Sequence, residues 1–334
     1  MNTDAYSLPP AEAAALTRRI TLLSVAVATV LIAVKLAAFV ASGSVALMAS
    51  LADSSLDLVA SLITFFAVRY AAAPPDSEHR YGHGKAEAFS SLIQGGLVFA
   101  SAALIGQEAI RRLMHPAPMG DGGWAIGAMA VSTVLTTGLI IAQGRVLKQT
   151  GSVAVSGDRA HYAADLASNI VALIGIAVAA ATGFVAADAL AGIAVAAWLV
   201  WGAVGVFRES SSQLMDHELP PEARTRILAL MTEDPRIEGV HQLRTRAAGP
   251  VVHMQMHADL APDLSLEEAH TVIVAAENRV LGVFPAADII IHADPHGRAA
   301  PHGGAFAEAH ADPDENTAPQ APQTASKTTD PATR

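Results

Sequence analysis

Six stretches of the chain are almost continuously apolar, at roughly 20–41, 45–70, 86–111, 124–146, 159–182 and 184–207. A helix needs about 20 mostly apolar residues to cross the hydrocarbon core of a bilayer, and each stretch meets or approaches that length. Several end at helix breakers: Ala41-Ser42-Gly43, Pro74-Pro75, His115-Pro116 and Thr182-Gly183. The runs are too long, and too poor in strict alternation, for the strands of a membrane barrel. The pattern therefore predicts a six-helix transmembrane domain.

From Arg208 the pattern changes. Pro220-Pro221 opens a helix to about Asp234, and VHQLRTRAAG reads as a strand ending in a turn at Gly249-Pro250. In PVVHMQMHADL, Val252, Met254 and Met256 alternate with His253, Gln255 and His257, the period of a half-buried strand. Ser265 and Glu268 form a capping box for a helix reaching about Phe284, and ADIIIHADP closes as a strand. This α-β-β-α-β order predicts an open, ferredoxin-like sheet with two helices on one face. Beyond residue 298 apolar periodicity is lost and a disordered tail is expected, although it carries His302 and His310.

Charge orients these pieces. Arg18 and Arg19 precede the first span, Arg69, Arg80 and Lys85 lie between the second and third, and Arg145, Lys148 and Arg159 between the fourth and fifth. The opposite side carries only Arg111 and Arg112, so both termini are expected in the cytoplasm. Asp4 and Glu12 sit where a signal peptide would be cationic, so the first span is expected to remain in the mature protein. The expected organisation is a cytoplasmic segment (1–18), a transmembrane domain (19–208), a cytoplasmic domain (209–297) and a tail (298–334). No basic run suited to phosphates is present, which argues against nucleic acid as a partner. The chain has no cysteine, which leaves histidine and carboxylate as its strong metal ligands.

Ionisable side chains within spans are costly, and here they come in pairs. Asp53 and Asp57 lie four residues apart in the second span, as do His161 and Asp165 in the fifth, so each pair shares one helical face. Three carboxylates and one imidazole on two facing helices suit a tetrahedral Zn²⁺ site, in preference to groups lining a water-filled cavity or pairing with Lys35. Lys35, Gln94, Glu108, Asn169 and Asp188 are expected to snorkel, cap or bond between helices. Between the second and third spans, Asp76, His79 and His83 have a spacing that can hold one Zn²⁺ or simply decorate a solvated loop. In the soluble region His241, His257, His270, His292 and Asp294 recur near strand ends and on the second helix. Their distribution alone does not distinguish ligands from ordinary surface histidines.

Taken together, the DxxxD of the second span, the HxxxD of the fifth and DxxHxxxHGKAE between the second and third resemble the cation diffusion facilitator family, from about Leu16 to Pro295. The resemblance implies a bacterial inner-membrane homodimer that exports a divalent metal in exchange for protons by alternating access. Zn²⁺ is the expected cargo, with Cd²⁺ and Fe²⁺ as further candidates. It implies that Asp53, Asp57, His161 and Asp165 form the transport site and that Asp76, His79 and His83 form a second site. It further implies a binuclear Zn²⁺ site at the dimer interface, made by His241, His257, His270, His292 and Asp294, and a charge interlock of Lys85 with Asp216. An enzyme is not expected, because no HExxH-like arrangement is present and all four intramembrane positions are used as ligands. A membrane-anchored metal sensor is the other class, but an anchor has no need of four ionisable groups inside the bilayer.

Overall fold

The computed structural model describes residues 8–43, 45–114, 123–182 and 186–298. The tail expected beyond residue 298, and the breakers at His115-Pro116 and Gly183, lie outside the described residues. Six long helices come first: α1 (Pro10–Ser42), α2 (Val45–Ala71), α3 (Ala86–Met114), α4 (Gly123–Thr150), α5 (Val153–Thr182) and α6 (Ala186–Leu214). They are followed by α7 (Pro221–Met231), β1 (Ile237–Ala248), β2 (Val251–Leu260), α8 (Leu266–Val283) and β3 (Ala287–Pro295). By length and composition, α1, α2, α3, α4 and α6 each contain a candidate membrane span among the described residues. α5 differs in carrying Asp158, Arg159, His161 and Asp165 in its first half.

The helices overrun the apolar stretches at most ends, because backbone hydrogen bonding continues after hydrophobicity stops. α1 begins at Pro10, a favourable first helical residue, well before the apolar run. It ends at Gly43, whose left-handed backbone (φ 65°) lets its N–H donate to the Phe39 carbonyl. In the bundle α3 packs chiefly on α6 and α1 on α2, while α5 meets α3, α4 and α6. One core joins Val98 and Ala102 of α3, Ala164 of α5 and Leu199 and Ala203 of α6. Another joins Ile20, Leu139, Val155 and Tyr162 from α1, α4 and α5. Gly95 lies against Val206 and Phe207, and Gly192 against Ala109, so both serve close helix packing; Gly96 and Gly202 meet nothing within the chain. Large apolar side chains such as Phe66, Phe99, Leu104, Val134 and Trp201 face outward, as lipid-facing positions do.

The chain divides into two compact units. The first holds α1–α6, the approach to α7, and residues Thr245–His253 and Leu281–Asp288; the second holds Arg224–Arg244, Met254–Val280 and the chain from Ile289. The sheet has the order β1-β2-β3. β1 and β2 form a hairpin through Gly249 (φ 60°), and the ladder between β2 and β3 is parallel: Val252 N–H donates to Ala286 O, and His296 N–H to Leu260 O. Val252, Met254 and Met256 are buried and Gln255 exposed, as the alternation predicts, but His253, expected on the polar face, is buried and His257 is half-buried. The capping box is formed in full: Ser265 N–H donates to Glu268 Oε2 (2.9 Å) and Glu268 N–H to Ser265 Oγ (3.3 Å). In the second unit Arg279 donates to the Leu230 and Met231 carbonyls and so closes the C-terminal end of α7.

Within the first unit the α2–α3 loop is held against the hairpin turn. A Cβ on Gly84 would fall 2.0 Å from the Ala248 carbonyl oxygen. Lys85 Nζ meets Asp216 Oδ1 at 2.9 Å, and Arg246 reaches Oδ2 of the same carboxylate at 3.2 Å. Partial burial alone would raise the Asp216 pKa, but the hydrogen bond from Lys85 and the two cationic charges hold it below its ordinary value. Two outcomes follow. Gly84→Ala should destabilise the protein by about 1–3 kcal/mol through backbone displacement, read as a lower melting temperature in detergent. Because Lys85 and Asp216 are about two-fifths exposed, Lys85→Ala should cost no more than about 1 kcal/mol. A depressed carboxylate contributes stability above its unfolded pKa of about 3.9 and loses it as pH falls through the lower folded value. The stability difference between native and Lys85→Ala protein should therefore shrink below about pH 4.

Candidate metal centres

Helix periodicity delivers the intramembrane ligands. Asp57 on α2 and His161 and Asp165 on α5 each bring one ligand atom within 4.8 Å of the others. His161 Nε2 is 3.1 Å from Asp57 Oδ1 and 3.8 Å from Asp165 Oδ2. Metal–ligand bonds of about 2.0–2.2 Å set neighbouring ligands of a tetrahedral ion roughly 3.3–3.5 Å apart, so these separations straddle the geometry for Zn²⁺. Asp57 and His161 are buried and Asp165 is half-buried. Asp53 is not part of this group; it is exposed one turn along α2, although it lines the same cavity. That cavity, about 200 Å³, is also lined by Lys35, Ser50, Ser54, Ser132, Thr136, Ser168 and Asn169. Lys35 is tied off inside it, donating to Ser54 Oγ (2.6 Å) and the Ser50 carbonyl (3.2 Å).

The loop residues also converge. Asp76, His79 and His83 form a second group within 4.8 Å. His83 Nε2 lies 3.2 Å from Asp76 Oδ2, and His79 Nδ1 lies 3.3 Å from Asp76 Oδ1. The backbone N–H of His79 (2.6 Å), joined by that of Glu78 (2.9 Å), holds the Asp76 carboxyl below its ordinary pKa and available as an anionic ligand. His79 and His83 wall a larger cavity of about 760 Å³ with Tyr70, Tyr81, Phe89, Arg246 and His253. Arg246 stacks over the Tyr81 ring at 4.7 Å, and His253 Nδ1 pairs with Asp288 at 3.0 Å. No spacing pointed to His253 or Arg246 as part of this neighbourhood, since both sit in strands distant along the chain from the loop. Although larger, this cavity is mainly aromatic and aliphatic; the buried carboxylates lie in the smaller one.

The third group is His241, His257 and Asp294, on β1, β2 and β3. Asp294 is its hub: Oδ2 lies 2.8 Å from His257 Nδ1 and 3.5 Å from His241 Nε2, and Oδ1 lies 3.4 Å from His292 Nε2. His292 therefore adjoins the group, and its ring lies 4.8 Å from that of His257. His270 is outside it, exposed on α8. The period of two along each strand explains why His257 on β2 and His292 and Asp294 on β3 reach one face.

The structure also contains a buried carboxylate that the spacing rules passed over. Asp158 lies one turn before His161 on α5, fully buried, and accepts from Ser24 Oγ (2.7 Å) and Gln143 Nε2 (2.8 Å). Its position three residues before His161 was the available sequence signal, but its partners lie on α1 and α4.

Residues 21–215 match the family model for the cation efflux transmembrane domain, and residues 219–296 match that for the cation efflux protein cytoplasmic domain. The chain is 40% identical to the cation-efflux pump FieF of Shewanella oneidensis over 272 residues, covering 81% of this chain and 92% of that protein. It is 35% identical to FieF of Salmonella schwarzengrund over 280 residues, covering 84% and 93%. A solved structure of the zinc transporter CzrB in its zinc form is 36% identical over 26% of this chain and all of that one, with a TM-score of 0.24. These relatives are transporters and not enzymes, and with both of its domains matched, the chain belongs to the cation efflux family of membrane transporters, the cation diffusion facilitators.

Proposed function

We propose that this protein exports Zn²⁺ from the cytoplasm in exchange for protons, with Asp57, His161, Asp165 and Asp53 as the transport site. The observation that carries this reading is the meeting of two carboxylates and one imidazole inside the helical bundle, at separations near those of a tetrahedral ion. Asp53, which lines the same cavity one turn away, supplies the fourth ligand by a side-chain rotation. The absence of thiolate and the mixed oxygen–nitrogen set favour Zn²⁺, with Cd²⁺ and Fe²⁺ as competing cargo. In this reading α5 is the sixth crossing, tolerated despite its charges because they face the bundle interior. Both termini are cytoplasmic by the positive-inside rule, and the membrane is the bacterial inner membrane.

The chemistry of exchange follows from the ligands. Metal binding requires an unprotonated imidazole and ionised carboxylates, so Zn²⁺ and protons compete for the same atoms. Unperturbed imidazole titrates near pH 6.5, within the range that a cellular gradient spans. Zn²⁺ enters from the cytoplasm and displaces protons; the site then opens outward, where protons displace Zn²⁺. The Asp76/His79/His83 group is a second metal site near the cytoplasmic mouth. The His241/His257/His292/Asp294 face of the ferredoxin-like cytoplasmic domain is a structural or regulatory binuclear site in a homodimer. His270, outside the group within one chain, completes it from across the dimer interface. Lys85 and Asp216 interlock at the dimer centre.

In proteoliposomes with an imposed pH gradient, Zn²⁺ flux is expected to fall at least roughly tenfold in Asp57→Ala and Asp165→Ala, in line with the cost of disturbing a metal's ligands. Flux that survives collapse of the gradient would sink the antiport mechanism, and undiminished flux in both variants would remove these carboxylates from the site. For the cytoplasmic face, Zn²⁺ at 100 times its dissociation constant should stabilise the dimer by about 2.7 kcal/mol. Most of that gain should disappear in Asp294→Ala, while His270→Ala should lower the dimer fraction at limiting Zn²⁺, measured by sedimentation.

A further inference from the structure

Asp158 is a buried carboxylate that the proposed metal set leaves unused. Ser24 of α1 and Gln143 of α4 donate to its Oδ2 at 2.7 and 2.8 Å. Gln94 Nε2 of α3 reaches its Oδ1 at 3.4 Å, and also donates to Thr64 Oγ1 (2.8 Å) and the Ala60 carbonyl (3.1 Å) of α2. Ser90 Oγ extends the layer to Thr64 at 3.3 Å, and Tyr162 joins Ser61 (2.8 Å) to the Ser24 carbonyl (3.2 Å). Five helices therefore meet in one buried polar layer of side chains with the Asp158 carboxyl group at its centre. Such a layer is costly unless its members are satisfied, so breaking it has consequences beyond one bond.

Its position gives it meaning. On one side of His161 the candidate site opens into the 200 Å³ cavity, whose wall includes Ser50, Asp53, Leu104 and Asn169 and reaches the surface at the exposed Asp53 and Leu104. On the other side, toward the start of α5 and the α2–α3 loop, lies the Asp158 layer. Two further bonds close that end: Ser152 Oγ donates to buried Glu87 of α3 at 2.6 Å, and Ser156 Oγ to Glu209 of α6 at 2.8 Å. Between them α5 and α3 touch directly, since a Cβ on Gly157 would fall 2.7 Å from Ser91 Oγ and 2.9 Å from its Cα. The site is thus open at one end and sealed at the other.

We infer that Asp158 is a positioning residue for transport, the anchor of a polar seal that closes the candidate site at its α2–α3 loop end. This rests on the transport reading given above. The contacts of Asp158 with α1 and α4 are short, and its contact with α3 is longer, at the limit of hydrogen bonding. Asp158 touches no metal in this scheme; it acts through the helix that carries His161 and Asp165.

The chain has no cysteine, so single cysteines report access without altering a background thiol. Ala60→Cys places a thiol beneath the seal, and Ser168→Cys places one in the open cavity. In sealed vesicles a charged, impermeant maleimide should label Ser168→Cys from the cavity side and leave Ala60→Cys protected. Adding Asp158→Ala should raise Ala60→Cys labelling from the loop side by roughly tenfold or more, as expected for a shifted two-state equilibrium. Asp158→Asn, whose amide oxygen still accepts, should restore most of the protection. In Zn²⁺ flux, Asp158→Ala should lower Vmax roughly tenfold with KM held within about threefold, the signature of a lost conformational step and not of lost metal binding. Unchanged Ala60→Cys labelling in a folded Asp158→Ala protein overturns the inference, as does a raised KM at preserved Vmax. Should Asp158→Ala fail to assemble, Ser24→Ala removes the α1 donor to Asp158 without removing a bond to Ala60 and should expose Ala60→Cys alike; continued protection there is equally fatal. Labelling reads the seal whether or not Zn²⁺ is moved. Native protein with the expected labelling but no flux would therefore refute the transport reading and leave the seal standing.

Discussion

Burying a carboxylate away from water is the constraint around which the bundle is organised. An anion inside hydrocarbon is too costly to persist alone, so each one must meet donors, a cation or a proton. This chain places Asp57, Asp158 and Asp165 in that environment and answers each differently. Asp57 meets the imidazole of His161, Asp165 lies beside the same ring, and Asp158 is surrounded by hydroxyl and amide donors. In the transport function proposed above, Asp57 and Asp165 exchange partners, because imidazole, proton and metal ion are interchangeable companions. Asp158 has donors built into three neighbouring helices, a fixed companionship. On α5 the exchangeable Asp165 and the fixed Asp158 lie about two helical turns apart, an arrangement that suits the proposed carrier, in which one group releases cargo and the other holds the scaffold.

Much of this was legible in the sequence because it is periodic. Apolar runs of helix-spanning length announced the bundle, and Asp53/Asp57 and His161/Asp165 shared faces by the arithmetic of a 3.6-residue turn. The alternation through Val252, Met254 and Met256 gave β2 its inward face, and the Ser265–Glu268 box marked the start of α8 at the residue where it caps. What periodicity could not supply was company. Asp158 carries the same local spacing as many helical aspartates; its role comes from Ser24, 134 residues away. Asp53 had the right spacing but lies exposed, because a shared helical face fixes direction and not distance from a second helix. His270 had a plausible neighbourhood in sequence, yet it is exposed on α8 and lies outside the group around Asp294. The sheet also came out simpler than its nearest familiar pattern, with β2 and β3 adjacent and parallel, because the crossover through α8 returns the chain directly beside the strand it left.

The three ligand groups differ in how rigidly they are held. The intramembrane group sits on two long helices, and the cytoplasmic group on three paired strands, so both are fixed by backbone hydrogen bonding that does not depend on metal. The loop group is instead shaped by its own Asp76, whose carboxylate takes the N–H groups of Glu78 and His79 and so folds the turn that brings His79 and His83 together. Both N–H groups bond Oδ1, which leaves Oδ2, facing His83, as the oxygen open to a metal ion.

Position 216 answers to two demands at once. Asp216 has a left-handed backbone (φ 55°), which few side chains accept, and its carboxylate receives both Lys85 and Arg246. Glycine would satisfy the geometry and glutamate the charge, but neither would satisfy both. Asparagine would keep the bend and part of the hydrogen bonding while giving up the anion. The position is therefore a narrow passage for neutral drift, where a change tolerated by the fold is felt in the electrostatics and the reverse. Among laboratory or natural variants, substitutions there should come paired with changes at 85 or 246 more often than alone.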